Sequence, residues 1–136
     1  MGIKDAAHAE TITNGSPAFI SKLGCSLAGE IQTVNIFPGT AVFQAYQKET
    51  VMEQFNCSYG LNETYRDTLH NRALKIVGID FNGEARVVEL PGHRFFVATL
   101  FLPQLSSSVA APHPLIMDYM KAAIAFQSYK HTAGGR

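Results

Sequence analysis

A chain of 136 residues with 46% hydrophobic content is long enough for one domain with a modest core and too apolar for a disordered segment. Eleven Lys and Arg balance eleven Asp and Glu, which argues against a nucleic-acid partner, whose phosphates demand a basic surface, and against an anionic membrane. The longest apolar run, residues 95–102, is far short of the roughly 20 residues a bilayer-spanning helix needs. Residues 1–15 hold no apolar signal core, and Cys25 and Cys57 are too few for a disulfide framework, so a cytoplasmic location is expected.

Residues 1–24 read as an irregular N-terminal segment, with Asn14-Gly15-Ser16-Pro17 as a turn signal. Over 29–37, Ile31, Thr33 and Asn35 alternate with Gln32, Val34 and Ile36, the period of a strand that Pro38-Gly39 ends. Thr40 is placed to cap a short helix over 41–46, with Val42 and Tyr46 on one face. A second strand is expected over 50–59. Gly60 follows, and Asn62 caps a helix with Glu63 in its first turn, so that Leu61, Tyr65 and Leu69 share a face.

Asn82-Gly83, between runs 73–81 and 84–90, is a strong hairpin signal, because both turn positions must tolerate positive φ. Pro91-Gly92 suits a type II turn. It leads into a buried strand over 95–102, completing a three-stranded meander. A small-residue link with prolines covers 106–114. From about Pro114 a helix follows, in which Leu115, Ile116, Tyr119, Met120, Ala123 and Ile124 form an amphipathic stripe that reads as core packing. Residues 131–136 read as a frayed tail. The whole is one α/β domain over 1–136.

Cys57, in Asn56-Cys57-Ser58-Tyr59-Gly60, has two readings. It is a small buried hydrophobe, the commonest fate of a free cysteine, or a thiol activated near a helix N-terminus. Cys25 reads as the former. The histidines (His8, His70, His93, His113, His131) show no metal-ligand spacing, and His93 and His113 read as structural or solvated. Neither a Gly-rich phosphate loop nor a nucleophile elbow is present, so no metal and no cofactor is expected.

Residues 90–123, LPGHRFFVATLFLPQLSSSVAAPHPLIMDYMKAA, resemble the end of the glutamine amidotransferase domain of CTP synthase. That family shows Leu-Pro-x-His-x-Phe-Phe-Val-Ala-Thr-Gln-Phe-His-Pro-Glu, a variable loop, then Pro-His-Pro-Leu and a helix ending Lys-Ala-Ala. Residues 53–67, EQFNCSYGLNETYRD, resemble its basic strand followed by Arg-Tyr-x-Val-Asn and Tyr-Arg, with Tyr59, Asn62, Tyr65 and Arg66 at matching places. Phe37-Pro38-Gly39 with Tyr46 is similar to its Pro-Gly-Ser turn and following tyrosine. The likeness covers about residues 20–127 and extends to the CTP-synthase C-terminal-region-related proteins, which share Cys-Ser-Tyr-Gly-Leu-Asn.

The resemblance implies a class I glutamine amidotransferase-like (flavodoxin-like) sheet with flanking helices, with the N-terminal half of the domain missing. In that family a cysteine at a strand-to-helix elbow attacks glutamine, a histidine carries the proton, and a glutamate fixes the histidine's tautomer. The elbow would lie before Met1. The family's histidine falls on Leu102 and its glutamate on Gln104, so the resemblance implies lost catalysis and a binding or regulatory role. The candidate pocket is Cys57, Ser58, Tyr59, Gly60, Asn62, Leu100, Leu102 and Gln104. The implied partners are a glutamine-like small molecule, and a second copy or the missing half. The alternatives are a thiol enzyme or redox protein using Cys57, and a glutamine-hydrolysing CTP synthase component that needs the missing half.

Overall fold

The computed structural model describes residues 7–10, 18–70 and 72–133; the expected turn at Asn14–Pro17 lies outside them. Strands β1 (Ala7–His8) and β2 (Ala18–Lys22) precede β3 (Ile31–Ile36), helix α1 (Ala41–Tyr46) and β4 (Thr50–Gln54). Then come β5 (Tyr59–Leu61), a 3-10 turn at Glu63–Tyr65, α2 (Arg66–His70), β6 (Lys75–Ile79), β7 (Ala85–Glu89) and β8 (Val97–Thr99). A second 3-10 turn at Pro103–Leu105 and α3 (Pro114–Ala133) follow. The main sheet has the order β4-β3-β6-β7-β8, with antiparallel pairs throughout, and a smaller sheet has the order β1-β2-β5.

Local chemistry explains the elements that form as expected. The α1 N-terminus is satisfied twice: Phe43 N–H donates to Thr40 Oγ1 at 3.0 Å, and Val42 N–H donates to the buried Glu89 carboxylate at 3.2 Å. At the β6–β7 turn Gly83 takes φ +82°, and Asp80 Oδ1 accepts from the amides of Asn82 and Glu84, both at 2.9 Å. The remaining Asp80 oxygen pairs with buried Arg86 at 2.7 Å, and Arg86 also meets Glu84 at 2.5 Å. β6 and β7 approach so closely at Gly78 that a Cβ there would lie 2.8 Å from Val87 Cγ2.

The main sheet curls until its outer strands touch. Phe55, just past β4, bridges Phe101, just past β8, and Leu102 N–H donates to the Gln54 carbonyl at 2.9 Å. The two rings meet edge-to-face, centroids 5.8 Å apart, and both are fully buried. Around them pack Val34, Ile36, Val42, Val51, Val77, Val87 and Leu115.

Several expectations need correction. Residues 18–22 form β2, so the segment 1–24 is not irregular throughout. The strand expected over 50–59 stops at Gln54, and residues 59–61 cross to the small sheet against β2. Gly60 therefore lies inside a strand, where a Cβ would come within 2.7 Å of Leu23 Cδ2. Leu61 also belongs to β5, which leaves Tyr65 and the buried Leu69 on the helical side.

The run 95–102 is no buried strand. β8 is the outermost strand, Phe96 is 45% exposed, and Phe101 alone of the run is fully buried. The α3 stripe is not core either: Leu115 is buried and Ile116 half-buried, but Tyr119, Met120 and Ile124 are 55%, 48% and 60% exposed. The expected tail at 131–136 begins as helix to Ala133, and 134–136 lie outside the described residues.

Candidate functional site

Past Phe55 the chain leaves one sheet for the other, and Cys57 and Ser58 bridge the gap. Their carbonyls accept from Leu27 N–H at 2.8 Å and Leu23 N–H at 2.9 Å, and the Ser58 hydroxyl shares a 2.8 Å hydrogen bond with that of Ser26. The Cys57 thiol donates to the Leu100 carbonyl at 3.6 Å, while Leu100 N–H donates to the Arg86 carbonyl at 2.9 Å. Cys57, Gly60 and Leu100 are thus brought together, since the Leu100 side chain also lies against the Cβ position of Gly60.

The other expected residues are spread around this centre. The Tyr59 ring tilts against His8 at 5.4 Å. Asn62 is consumed structurally: its amide nitrogen donates to the Ala18 carbonyl at 2.8 Å and its oxygen accepts from Thr64 N–H at 3.0 Å. Leu102 is half-buried, with its N–H committed to the sheet closure, and Gln104 is exposed on the 3-10 turn beyond it. Beside Leu100 lies an apolar hollow of about 170 Å³, lined by Ile20, Leu61, Val88, Ala98 and Arg86 among others.

Cys57 is half-buried, and burial pushes its thiol above the usual range, with the Arg86 charge and a backbone hydrogen bond at Tyr59 opposing the shift. Such a thiol stays protonated at neutral pH and is a poor nucleophile. Cys25 is exposed, against the expectation of burial.

Sequence reading missed a second cluster. The Glu53 carboxylate is buried on the inward side of β4, between Val51 and Phe55. Its Oε1 accepts from the Tyr46 hydroxyl at 2.5 Å and from His113 Nε2 at 3.0 Å, and its Oε2 accepts from Ser106 Oγ at 3.2 Å. Leu115 N–H donates to His113 Nδ1 at 3.2 Å, so the proton sits on Nε2, facing Glu53. Burial raises the Glu53 pKa, but the hydrogen bonds from His113, Tyr46 and Ser106 outweigh it and hold the carboxyl below its ordinary range. The Tyr46 hydroxyl is pushed far up by burial and by Glu53.

The residues have the types of an acid–base relay, yet Glu53 and His113 are each 3% exposed, so no substrate reaches them. The cluster instead ties α1, β4, the second 3-10 turn and the start of α3 together. One signal was legible: period-two alternation through Val51, Glu53 and Phe55 places a carboxylate inward, where it requires partners.

Among the described residues no group of three or more His, Cys, Asp or Glu gathers to hold a metal ion, and no helix is long and apolar enough to cross a membrane.

No protein-family model matches the chain. A curated CTP synthase of Helicobacter pylori is 35% identical over 89 residues, which is 65% of this chain and 16% of that protein. The CTP synthase of Nostoc punctiforme is 35% identical over 104 residues, 76% of this chain and 19% of its own length. That of Gloeothece citriformis is 32% identical over 112 residues, 82% and 20% respectively.

Among solved structures, the Trypanosoma brucei CTPS glutaminase domain with bound acivicin superposes with TM-score 0.82 at 24% identity, covering 91% of this chain and 52% of that one. A putative GMP synthase component from Thermoplasma acidophilum gives 0.62 at 8% identity, covering 82% and 51%. The chain therefore spans about half of each solved chain and a fifth or less of these curated relatives. The expected class I amidotransferase fold holds.

Proposed function

Because the chain is a relative of the CTP synthases with the fold of a glutaminase domain, we propose that it is an amidotransferase-like binding or regulatory domain that does not itself hydrolyse glutamine. The observation that carries this reading is the pair Leu102 and Gln104, which stand where the resemblance puts the histidine base and its carboxylate. Leucine holds no proton, and an amide does not stabilise an imidazolium. Loss of the base or of its carboxylate partner costs such machinery about 10⁴-fold to 10⁶-fold in rate. The strand end at residues 99–104 offers Thr99, Leu100, Phe101, Leu102, Pro103 and Gln104, none of them a general base at neutral pH. A glutamine-like small molecule is the ligand class the kinship favours, held near Cys57, Ser58, Gly60 and Leu100, and a cytoplasmic location belongs to the same proposal.

The reading of Cys57 as a redox or nucleophilic thiol is disfavoured by burial and by its hydrogen bond to Leu100. A glutamine-hydrolysing component completed by the rest of the domain is favoured by the names of the relatives and by the half-length match to the solved glutaminase domain. A nucleophile supplied that way would still face Leu102.

The test is glutamate release from L-glutamine by the purified chain, with amide shifts followed by NMR. Glutamate release at the level of the Cys57→Ser variant and of the protein-free blank is expected, with shifts confined to residues 57–62 and 100–104. Cys57-dependent release would overturn the non-catalytic reading. An unchanged spectrum in millimolar glutamine would remove the glutamine-like ligand.

A further inference from the structure

We propose that the hollow between the β2–β3 connection and the β6–β7 turn is a binding site for a small amide that carries an ammonium group. Among the described residues, two buried side-chain polar atoms have no hydrogen-bond partner: Gln32 Oε1, an acceptor, and Arg86 Nε, a donor. Buried polar atoms in folded proteins are paired with few exceptions, and each exception calls for a partner or a purpose. These two fall in one place. Gln32 and Arg86 line a single hollow of about 290 Å³, together with Cys25, Asp80 and Glu84.

The walls of the hollow are fixed by bonds of the fold itself. On one side the Leu23 and Leu27 amides are held by the Ser58 and Cys57 carbonyls. On the other, Asp80 Oδ1 clamps the turn through the amides of Asn82 and Glu84. Arg86 is 4% exposed, and its Nη2 donates to Asp80 at 2.7 Å and to Glu84 at 2.5 Å, which anchors the guanidinium and leaves Nε as its unpaired donor. Gln32 as a residue is half-buried, so binding includes a turn of its side-chain amide toward the hollow.

Hydrogen bonding and charge select the occupant. Arg86 Nε–H requires an acceptor and Gln32 Oε1 requires a donor, and an amide supplies both from one planar group. Asp80 and Glu84 set two negative charges against the one positive charge of Arg86, so an anion is repelled and a cation is drawn in. Glu84 spends one carboxylate oxygen on Arg86, and its side chain is 40% exposed, which makes it the group that meets the ammonium. Leu23 and Leu27 supply apolar contact to the rest of the molecule. The site shares no residue with the pocket proposed around Cys57, so failure to bind glutamine there leaves this inference standing, and the reverse.

The experiment is an NMR titration of the isotope-labelled full chain with glycinamide, a cationic amide at neutral pH, following the Arg86 Nε–H and Gln32 side-chain amide signals. Saturable shifts of both are expected, with a dissociation constant on the order of 1–10 mM for so small a probe. Acetamide, without the charge, should bind more weakly, and acetate should not bind. Cys25, exposed on the same hollow, gives a second readout: its alkylation by iodoacetamide, followed by peptide mass, should slow at least twofold in saturating glycinamide. Gln32→Met removes the acceptor at similar length and should weaken glycinamide at least threefold, with the urea midpoint kept because that oxygen has no bond to lose. Should that variant fold poorly, Glu84→Gln should weaken glycinamide and spare acetamide.

Shifts that stay linear to about 100 mM, acetate shifting the signals as much as glycinamide, or a Gln32→Met chain of unchanged affinity would each overturn the inference. So would a coupling across a hydrogen bond between Arg86 Nε–H and the Gln32 oxygen in the free chain, since the two atoms would then satisfy each other.

Discussion

Three interior hydrogen bonds converge on the Glu53 carboxylate. It accepts from Tyr46, His113 and Ser106; without the carboxylate Ser106 loses this partner, and Tyr46 and His113 keep their 3.1 Å contact with each other. Removing one side of a buried, hydrogen-bonded cluster leaves desolvated donors behind, which costs far more than the net worth of the bonds themselves. Glu53→Ala is expected to destabilise the fold by about 3 kcal/mol in urea unfolding. Glu53→Gln, whose oxygen still accepts one bond, should cost clearly less. The inward position of Glu53 was legible from the alternation Val51, Glu53, Phe55. Its partners were not, because His113 is a neighbour only after the whole intervening chain has folded.

Elements whose specification is local were read almost to the residue. Thr40 caps α1, a turn at Asn82-Gly83 joins β6 to β7 although Gly83 takes positive φ and Asn82 does not, and Pro114 opens α3, because each signal sits within a few residues of its effect. Thr40→Ala is expected to lower stability by about 1 kcal/mol, the usual worth of a hydroxyl cap. The denaturant midpoint should fall with an unchanged slope, since Glu89 still accepts from Val42 and keeps the helix in place. Elements whose specification is long-range were misread. Residues 50–59 carry one continuous strand-like pattern, and the break at Gln54 arises from closure against the end of β8 and from β2 as the partner of β5. Residues 95–102 look buried on composition, but their exposure depends on being outermost in the sheet, which no local pattern encodes. Leu102 and Gln104 were placed by resemblance, and the structure adds that the first lies at the closure while the second faces solvent.

At the scale of the whole molecule the Glu53 cluster sets an acid limit. The carboxyl ionises more readily when folded than when unfolded, so its contribution is fully present above the ordinary carboxylate range and is lost as pH falls through the folded value. The urea midpoint should therefore hold steady from pH 7 to about pH 5 and fall at lower pH. Glu53→Gln should flatten part of that fall, and a slope identical in the variant would assign the acid limit to other carboxylates. The same scale explains the misassigned helix face. The α3 stripe follows the rule for a core-facing helix, and its sequence does specify burial. What a single chain's pattern does not specify is whether the covering surface comes from within the same unit.

The long-range meeting of Phe55 with Phe101 is expected to come late in folding. The β6–β7 hairpin closes a short loop about Asn82-Gly83 and gains its pairing at small entropic cost, so it suits the role of nucleus. The pairing of Phe55 with Phe101 spans β5, α2 and three further strands and is rewarded only once those are in place. Until then the Phe55 and Phe101 rings, the largest fully buried side chains of the mature core, remain in water. A chain whose hairpin has formed before these rings meet is expected to expose aromatic surface that favours aggregation.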